Sequence, residues 1–238
     1  MDYSQKSTVE QIRARFDNDV ERFSNLETGQ ATWYDAPLML DQLTAAAAAT
    51  CPNAQSVLDV GCGAGNYSLK LLQRLPNLAV TLIDLSLPML NRAQERLRSA
   101  TNGEIHAMQG DIRELEIGTE AFDLIITGAA LHHLRAESEW EQVFAKFYHA
   151  LKPGGSFWIA DAAAQTHPAV EALMWREWGE YLEQRNGAAH RKTVEEYVIE
   201  EDTPRSVTFQ MDVLRRVGFR DVELLHKRNR FAAFGAYK

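Results

Sequence analysis

A glycine-rich turn after a short apolar segment carries the clearest chemistry in this sequence. Residues 57–60 lead into Gly61, Gly63 and Gly65, and a helix is predicted to follow. Glycines in such a turn let backbone N–H groups approach a bound ligand closely. The dinucleotide fingerprint Gly-x-Gly-x-x-Gly would need glycine at position 66, which is Asn66. The spacing therefore favours S-adenosylmethionine over a nicotinamide dinucleotide.

Acidic residues accompany the ends of three successive predicted strands. Asp59 lies in the first strand, Asp84 ends the second, and Asp111 follows the third. Because ligands of an open α/β sheet lie beyond the carboxyl ends of its strands, we expect these residues along one edge. A carboxylate at Asp84 can accept hydrogen bonds from both hydroxyls of a ribose. Because NAD enzymes have an acidic residue at the same place, Asp84 indicates a ribose-bearing ligand without distinguishing between the two cofactors.

The residues around Asp111 favour an adenine ring at this edge. The Asp111 carboxylate and the N–H of Ile112 offer one acceptor and one donor, which matches the amino edge of adenine. Leu85 and Met89 are predicted to cover its faces, although a methionine on a helix is more often a core residue. The other candidate cofactor-binding residues are Cys62, a small residue within the turn, and Gly128, after the fourth strand.

Strand and helix patterns alternate from residue 56 onward. Nearly continuous apolar runs predict strands at residues 56–60, 78–84, 104–109, 122–127, 156–161, 219–226 and 229–237. Helices are predicted at residues 8–27, from about 33–37 through 49, and at 65–75, 87–99, 137–151, 168–200 and 206–217. Such alternation predicts a parallel sheet with helices on both faces.

The length of 238 residues suits one α/β domain with additions. We see no internal repeat and no low-complexity linker. The single predicted domain, residues 1–238, divides into an N-terminal helical cap over 1–50, a cofactor-binding core over 51–161, a helical lid over 162–205, and a final helix and hairpin over 206–238.

Composition and charge limit the classes of partner. The net charge of −8 argues against broad binding to nucleic acid or to anionic membranes. No apolar run reaches the ~20 residues of a membrane span, and the polar start lacks the apolar core of a signal peptide. Two cysteines form no disulfide framework, which favours a cytoplasmic location. We expect a small-molecule acceptor and no membrane or nucleic-acid partner. A homodimer is compatible with the sequence.

Five motifs together resemble the class I S-adenosylmethionine-dependent methyltransferases. They occupy residues 58–65, 83–86, 110–112, 122–125 and 151–155, in that family's order and spacing. The resemblance implies a Rossmann-like, seven-stranded, mostly parallel sheet whose last strand is antiparallel. It also implies N-terminal helices, a helical lid after the fifth strand, S-adenosylmethionine as cofactor and S-adenosylhomocysteine as product.

The ends of the chain resemble a narrower family, the carboxy-S-adenosylmethionine synthases of tRNA wobble-uridine modification. The likeness lies in residues 16–20, 185–203 and 218–235, and it implies that Tyr34 contacts the cofactor. That family has an arginine, which pairs with the extra carboxylate of its cofactor, at the position held here by Val213. The missing cation favours ordinary S-adenosylmethionine and methyl transfer.

Two adjacent histidines are the candidate catalytic residues. His132 and His133 follow the fourth strand, close to the expected position of the transferable methyl group. Either could act as a general base, because imidazole titrates near neutral pH. The plainer alternative is that one packs against the next loop and the other is solvated. The other histidines show no metal-ligand spacing, and no metal site is predicted.

Aromatic residues of the cap and lid are the candidate substrate contacts. Trp33, Trp175, Trp178 and Tyr181 would give an apolar pocket. The equally weighted alternative is that these rings fasten the lid to the sheet.

Three functions therefore remain open from the sequence. The first is a small-molecule methyltransferase, which the acidic charge and the aromatic lid favour. The second is an RNA-modification enzyme or an enzyme that converts S-adenosylmethionine. The third is a non-catalytic module that binds S-adenosylmethionine, since cofactor motifs report binding and not turnover.

Overall fold

The computed structural model describes residues 3–25 and 29–238. Its strands, in chain order, are β1 Ser56–Val60, β2 Ala79–Asp84, β3 Ile105–Gln109, β4 Phe122–Gly128, β5 Leu151–Ala162, β6 Arg220–Arg228 and β7 Phe231–Tyr237. They form one sheet in the order β3-β2-β1-β4-β5-β7-β6. Strands β1 to β5 are parallel, whereas β7 is antiparallel to both β5 and β6. The Rossmann-like sheet with an antiparallel last strand is confirmed.

Helices cover both faces of this sheet. They are α1 Val9–Asp17, α2 Val20–Ser24, α3 Ala36–Thr50, α4 Asn66–Leu72, α5 Leu87–Leu97, α6 Glu137–Ala150, α7 Pro168–Glu201 and α8 Val207–Val217, with a 3₁₀ turn at Leu131–His133. Within the segments that the structure describes, no helix has both the length and the apolar character needed to cross a bilayer.

The helix predicted over residues 8–27 is interrupted near its middle. Asn18 ends α1, because its side-chain amide donates to the carbonyl of Ala14 (2.7 Å) and its backbone N–H to that of Arg15 (3.2 Å). Residues 26–27 of that prediction lie outside the described residues. Side chains that bond to the preceding turn commonly end a helix in this way.

The core lies on both faces of the sheet. Phe157 and Trp158 are neighbours on β5 and pack into opposite layers, as alternation along a strand requires. Leu43 and Leu71 fill the layer under α3 and α4, and Phe144 fills the layer under α6. Burial on both faces explains why the strand sequences are almost continuously apolar.

Helix α7 consists of two arms that pack against each other. Gly187 breaks it with φ 84° and ψ 167°, a combination that is almost confined to glycine. A β-carbon at Gly179 would lie 2.6 Å from Cζ of Arg191, so the second arm lies directly on the first. The helix-and-loop pattern predicted for residues 168–200 takes this form.

Candidate functional site

A cavity of about 600 Å³ opens at the carboxyl ends of β1 to β4. One end is bounded by residues 61–64, Asp84 and Asp111. The other end is bounded by most of residues 3–12 and by residues 133–135. The volume lies within the range of roughly 300–1,000 Å³ that small-molecule pockets occupy.

Gly61 and Gly65 shape the glycine-rich turn through packing. Their φ values are 65° and 82°. A β-carbon at Gly61 would lie 2.3 Å from Cβ of Ala130, and one at Gly65 would lie 2.7 Å from Cδ1 of Leu97. These two glycines therefore let the turn approach the segment after β4 and helix α5.

Gly63 and Asp84 form the polar centre of the cavity. Gly63 has φ 49°, and a β-carbon built there would meet no atom within 4 Å. Its N–H donates to Oδ2 of Asp84 (2.8 Å), and the N–H of Ser86 donates to Oδ1 (2.9 Å). Burial raises the pKa of Asp84 to about 6, although the hydrogen bonds from these N–H groups act to lower it. Near pH 7 the ionised carboxylate keeps lone pairs for two hydroxyls of a ligand.

Asp59 lies beneath the turn and does not line the cavity. Its Oδ2 accepts a hydrogen bond from Oγ of Ser68 (2.6 Å), whereas Oδ1 is buried without a partner in residues 3–25 and 29–238. Burial raises the pKa of Asp59 to about 7. Asp59 therefore supports the turn from below. Cys62 does line the cavity, and burial raises the pKa of its thiol.

Asp111 is already engaged by an arginine that the sequence did not single out. Asp111, Ile112 and Arg113 all line the cavity. The Arg113 guanidinium donates to both carboxylate oxygens of Asp111, from Nε over 3.0 Å and from Nη2 over 2.5 Å. Burial opposes ionisation of Asp111, but the hydrogen bonds from Arg113 outweigh it and hold the pKa below its ordinary value. The predicted adenine edge therefore includes a cation.

The remaining predicted cofactor residues surround the same space. Leu85, Met89 and Gly128 line the cavity. A β-carbon at Gly128 would lie 2.2 Å from the ring of Tyr67, which leaves no room for a side chain. Tyr67 is a further wall residue, and its hydroxyl accepts a hydrogen bond from Gln30 (3.4 Å). An aromatic residue at the start of a helix gives no sign of this role in the sequence.

The far wall is an N-terminal cover, residues 3–16, that is fastened to the end of α7. Lys6 Nζ donates to the backbone carbonyl of Asp202 (2.7 Å). Arg15 donates to both carboxylate oxygens of Glu201, over 2.7 and 2.5 Å. These partners are 196 and 186 residues apart in sequence, so the periodicity that predicted α1 could not reveal that it closes the cavity.

His132 is buried between two carboxylates. Its Nδ1–H donates to Asp161, and its Nε2 lies 3.7 Å from Oδ1 of Asp202. Burial lowers the pKa of His132, but the two carboxylates outweigh this effect and raise it to about 9. His132 is therefore an imidazolium near pH 7 and has no lone pair with which to take a proton.

His133 is neutral and lines the large cavity. Burial, followed by the charge on His132 and by Arg15, lowers its pKa well below the ordinary value. Its Nδ1 lies 3.5 Å from the carbonyl oxygen of Glu201, and its buried Nε2 has no hydrogen-bond partner among the described residues. A neutral imidazole has one N–H donor and one acceptor nitrogen. If Nδ1–H donates to the carbonyl of Glu201, Nε2 carries the lone pair and is the acceptor.

His132, His133 and Asp202 also form a group that could hold a metal ion by geometry alone. One ligand atom of each lies within 4.8 Å of the others. No spacing along the chain indicates this group, because Asp202 follows the distant end of α7. A metal requires an unprotonated imidazole, so the raised pKa of His132 counts against an ion here.

A smaller cavity of about 70 Å³ lies beside the large one, lined in part by Trp33, Trp178, His132, Arg230 and Phe231. Trp33 stacks on Phe231 with ring centroids 4.7 Å apart. Trp178 donates from Nε1 to a backbone carbonyl of the N-terminal region (2.7 Å). The residues that line both cavities are Phe16, Phe23, Gln30 and Ala129.

Three of the predicted aromatic contacts lie outside both cavities: Trp175, Tyr181 and Tyr34. The hydroxyl of Tyr181 donates to the carbonyl of Trp33 (3.3 Å). Tyr34 packs on Tyr181 with ring centroids 4.2 Å apart and donates to a backbone carbonyl of α7 (3.1 Å). These contacts fasten α7 to the N-terminal region and leave Tyr34 away from the glycine-rich turn.

The cofactor half of the large cavity falls within a recognisable domain. Residues 57–155 match the family described as a methyltransferase domain. Residues 57–155 therefore form a methyltransferase domain. An uncharacterised methyltransferase of Mycobacterium tuberculosis is 36% identical over 121 residues, which are 51% of this chain and 56% of that protein. The chain spans about half the length of the curated methyltransferases that it matches at this identity.

Two further comparisons extend beyond the methyltransferase domain. The carboxy-S-adenosyl-L-methionine synthase of Nautilia profundicola is 24% identical over 188 residues, which are 76% of each chain. The 1,6-didemethyltoxoflavin-N1-methyltransferase of Burkholderia thailandensis was solved with 1,6-didemethyltoxoflavin and S-adenosylhomocysteine. It aligns with a TM-score of 0.62 at 17% identity and covers 98% of this chain and 91% of that chain, which shows a shared fold.

S-adenosylmethionine, the cofactor of this family, suits the methyltransferase domain of this chain at three points. Gly63 leaves open space on the side where a side chain would be, so a ligand can approach its backbone. Asp84 has spare acceptor capacity for ribose hydroxyls. Leu85 and Met89 offer apolar contacts for a flat base.

Proposed function

We propose that this protein transfers the methyl group of S-adenosylmethionine to a small-molecule nucleophile. The strongest support is that one continuous cavity joins the glycine-rich turn and Asp84 to His133 and the N-terminal cover. The cover lines the acceptor side of that cavity. The size of the cavity, about 600 Å³, favours a small acceptor.

The residues contribute chiefly by holding and enclosing the reactants. When bound, S-adenosylmethionine supplies a methyl group that its sulfonium already activates. Asp84, which the N–H of Gly63 holds in place, fixes the orientation of the adenosine in this proposal. The cover contributes apolar wall through Ile12 and Phe16. Alignment of the reacting atoms can lower a barrier by roughly 7–11 kcal/mol.

His133 is the proposed general base. It is neutral and lines the cavity, and its buried Nε2 has no hydrogen-bond partner among the described residues. In this proposal Nε2 accepts the proton of a hydroxyl or amine nucleophile. His132 is the proposed positioning residue. Its imidazolium ties the 3₁₀ turn to Asp161 and helps to keep His133 unprotonated.

A test of this proposal begins with the melting temperature in the presence of S-adenosylhomocysteine. We expect the product to stabilise the wild type and the control Asp212→Asn, which lies on the exposed side of α8. Asp84→Ala should lose most of that stabilisation.

A small-molecule acceptor panel and a tRNA pool would then be assayed for methyl transfer. Transfer to tRNA alone, or no stabilisation of the wild type, would refute the proposal.

A second candidate is an enzyme that converts S-adenosylmethionine, as the Nautilia relative's name describes. The likeness over 76% of both chains favours it. Val213, the position of that family's arginine, is a buried residue of α8 and lines neither cavity. Its identity therefore says nothing about charge in the pocket. Mass spectrometry of the nucleoside that co-purifies with the protein distinguishes S-adenosylmethionine and S-adenosylhomocysteine from a carboxylated form of the cofactor.

A further inference from the structure

Arg230 is a buried cation, and its residue is 4% exposed. Its Nε is fully buried and has no hydrogen-bond partner within residues 3–25 and 29–238. The nearest carboxylate oxygen, Oε1 of Glu171, is 3.8 Å from Nη2, beyond hydrogen-bond distance. Arg230 therefore has an ion-pair partner in Glu171, but its buried Nε lacks the hydrogen bond that buried polar groups normally make.

Aromatic rings hold the guanidinium in place. Its central carbon lies 3.6 Å from the ring centroid of Trp175 and 5.1 Å from that of Trp178. Burial lowers the pKa of Arg230 to about 10, so the group stays charged near pH 7. Stacking occupies a face of the guanidinium, and the N–H groups in its plane remain available. That geometry suits a planar, two-oxygen anion.

The other cations around the small cavity already have anions. Arg15 donates two hydrogen bonds to Glu201, and His132 donates to Asp161. Arg22 contacts Asp19. Arg230 also has an anion, Glu171, and the charges of Asp202 and Glu195 act on it as well, but its buried Nε makes no hydrogen bond among the described residues.

The position of Arg230 in the sheet places it on the acceptor side. It immediately precedes β7, which starts at the edge where β1, β4 and β5 end. The order β1-β4-β5-β7 puts three strand spacings, about 14 Å, between the glycine-rich turn and Arg230. Ala129, at the end of β4, lines both cavities and lies between them.

The small cavity has room for a charged end group and little more. Its volume of about 70 Å³ equals that of about two water molecules in the liquid. A carboxylate fits such a space, while the rest of a ligand would extend past Phe16 into the large cavity. His133 lies on the wall of that cavity.

We propose that Arg230 binds the carboxylate of the acceptor, so that this protein acts on small carboxylic acids. This inference rests on the proposed methyl transfer and adds the charge of the substrate to it. The carboxylate occupies the small cavity, and the nucleophilic atom of the same molecule reaches the methyl group in the large cavity. Trp33 and Phe231 favour an apolar or aromatic body next to the carboxylate.

The probes are three carboxylates, each with its uncharged amide: benzoate and benzamide, phenylacetate and phenylacetamide, hexanoate and hexanamide. Each is titrated into the complex with S-adenosylhomocysteine, and binding is followed by calorimetry or by the melting temperature. We expect at least one acid to bind the wild type tighter than its amide, by roughly 10- to 100-fold for a charge-assisted pair. Equal behaviour of all three acids and their amides would overturn the inference.

Arginine variants on one hairpin provide the control. Arg230→Gln should abolish the preference for the acid, and Arg230→Lys should keep part of it. Arg228→Gln should leave it intact, because Arg228 is exposed and pairs with Asp35. A preference for the acid that survives Arg230→Gln in a folded protein would overturn the inference.

S-adenosylhomocysteine affinity separates this inference from the proposed function. We expect Arg230→Gln to bind the product within about threefold of the wild type, which also shows that the variant is folded. A loss of tenfold or more would assign Arg230 to the cofactor's own carboxylate and overturn the inference. Failure of the wild type to bind the product at all would instead refute the proposed function.

Discussion

Replacing Gly63 by alanine separates cofactor binding from folding. The new β-carbon would meet no atom within 4 Å, so no clash accompanies the change. The remaining folding penalty is that of a left-handed backbone at φ 49°, about 1–2 kcal/mol. For a domain of this size that penalty lowers the melting temperature by roughly 2–8 °C. The fold should therefore survive the substitution.

The same methyl group should damage cofactor binding severely. It would enter the cavity next to Asp84, whose Oδ2 is 2.8 Å from the nitrogen of Gly63. A ligand displaced by the width of a methyl group loses a hydrogen bond to that carboxylate. Since such a bond to a charged group contributes about 1.5–3 kcal/mol, S-adenosylhomocysteine affinity should fall roughly 10- to 150-fold.

Gly187 offers a matched control for this prediction. It also has positive φ, 84°, and a β-carbon there would likewise meet nothing within 4 Å, but it lies at the break in α7. Calorimetric titration of the wild type, Gly63→Ala and Gly187→Ala with S-adenosylhomocysteine tests the comparison. We expect both variants to lose stability and only Gly63→Ala to lose affinity. Affinity within twofold of the wild type for Gly63→Ala would refute the reasoning.

Three further predictions concern the acceptor wall, the ribose carboxylate and the cover. His133→Ala should slow methyl transfer by about 10²–10⁴-fold and leave S-adenosylhomocysteine affinity unchanged; steady-state kinetics that show no slowing would exclude a base at this position. The pKa of Asp84 is raised to about 6, and its ionised form accepts ribose hydroxyls, so product affinity measured by calorimetry should fall as the pH decreases from about 7 to about 5. A flat profile would contradict that assignment. Arg15→Gln leaves buried Glu201 unpaired, so the free energy of unfolding should fall by about 1–3 kcal/mol and hydrogen exchange in residues 7–12 should become faster. The control Arg13→Gln, at an exposed position, should change neither quantity. Equal exchange in the two variants would refute the role of the ion pair.

The sheet and the cofactor end of the cavity were predictable because their signals are local. Apolar runs of strand length, the spacing of Gly61 to Gly65 and the acid at Asp84 lie within short stretches of sequence. Even there, Asp59 proved to lie beneath the turn. Asp111 proved to be held by Arg113.

The acceptor side was not predictable, because it depends on contacts between distant residues. The pairing of Arg15 with Glu201 spans 186 residues, and periodicity carries no information on such partners. The pattern of residues in α7 correctly predicted helical structure, but it did not show which residues its aromatic side chains contact. Trp178 borders the small cavity, whereas Trp175 stacks under Arg230. Whether a charge is paired depends on the finished packing, so Arg230 could not be recognised from its sequence neighbours.

In our proposal, the glycine-rich turn and Asp84 hold S-adenosylmethionine in the large cavity. The most direct test of this proposal is calorimetric titration of the wild type and Asp84→Ala with S-adenosylhomocysteine, with NADH titrated in parallel. We predict binding of one product molecule per chain, its loss in Asp84→Ala, and no binding of NADH. Binding of NADH in place of the product, or product binding that Asp84→Ala leaves unchanged, would contradict the account.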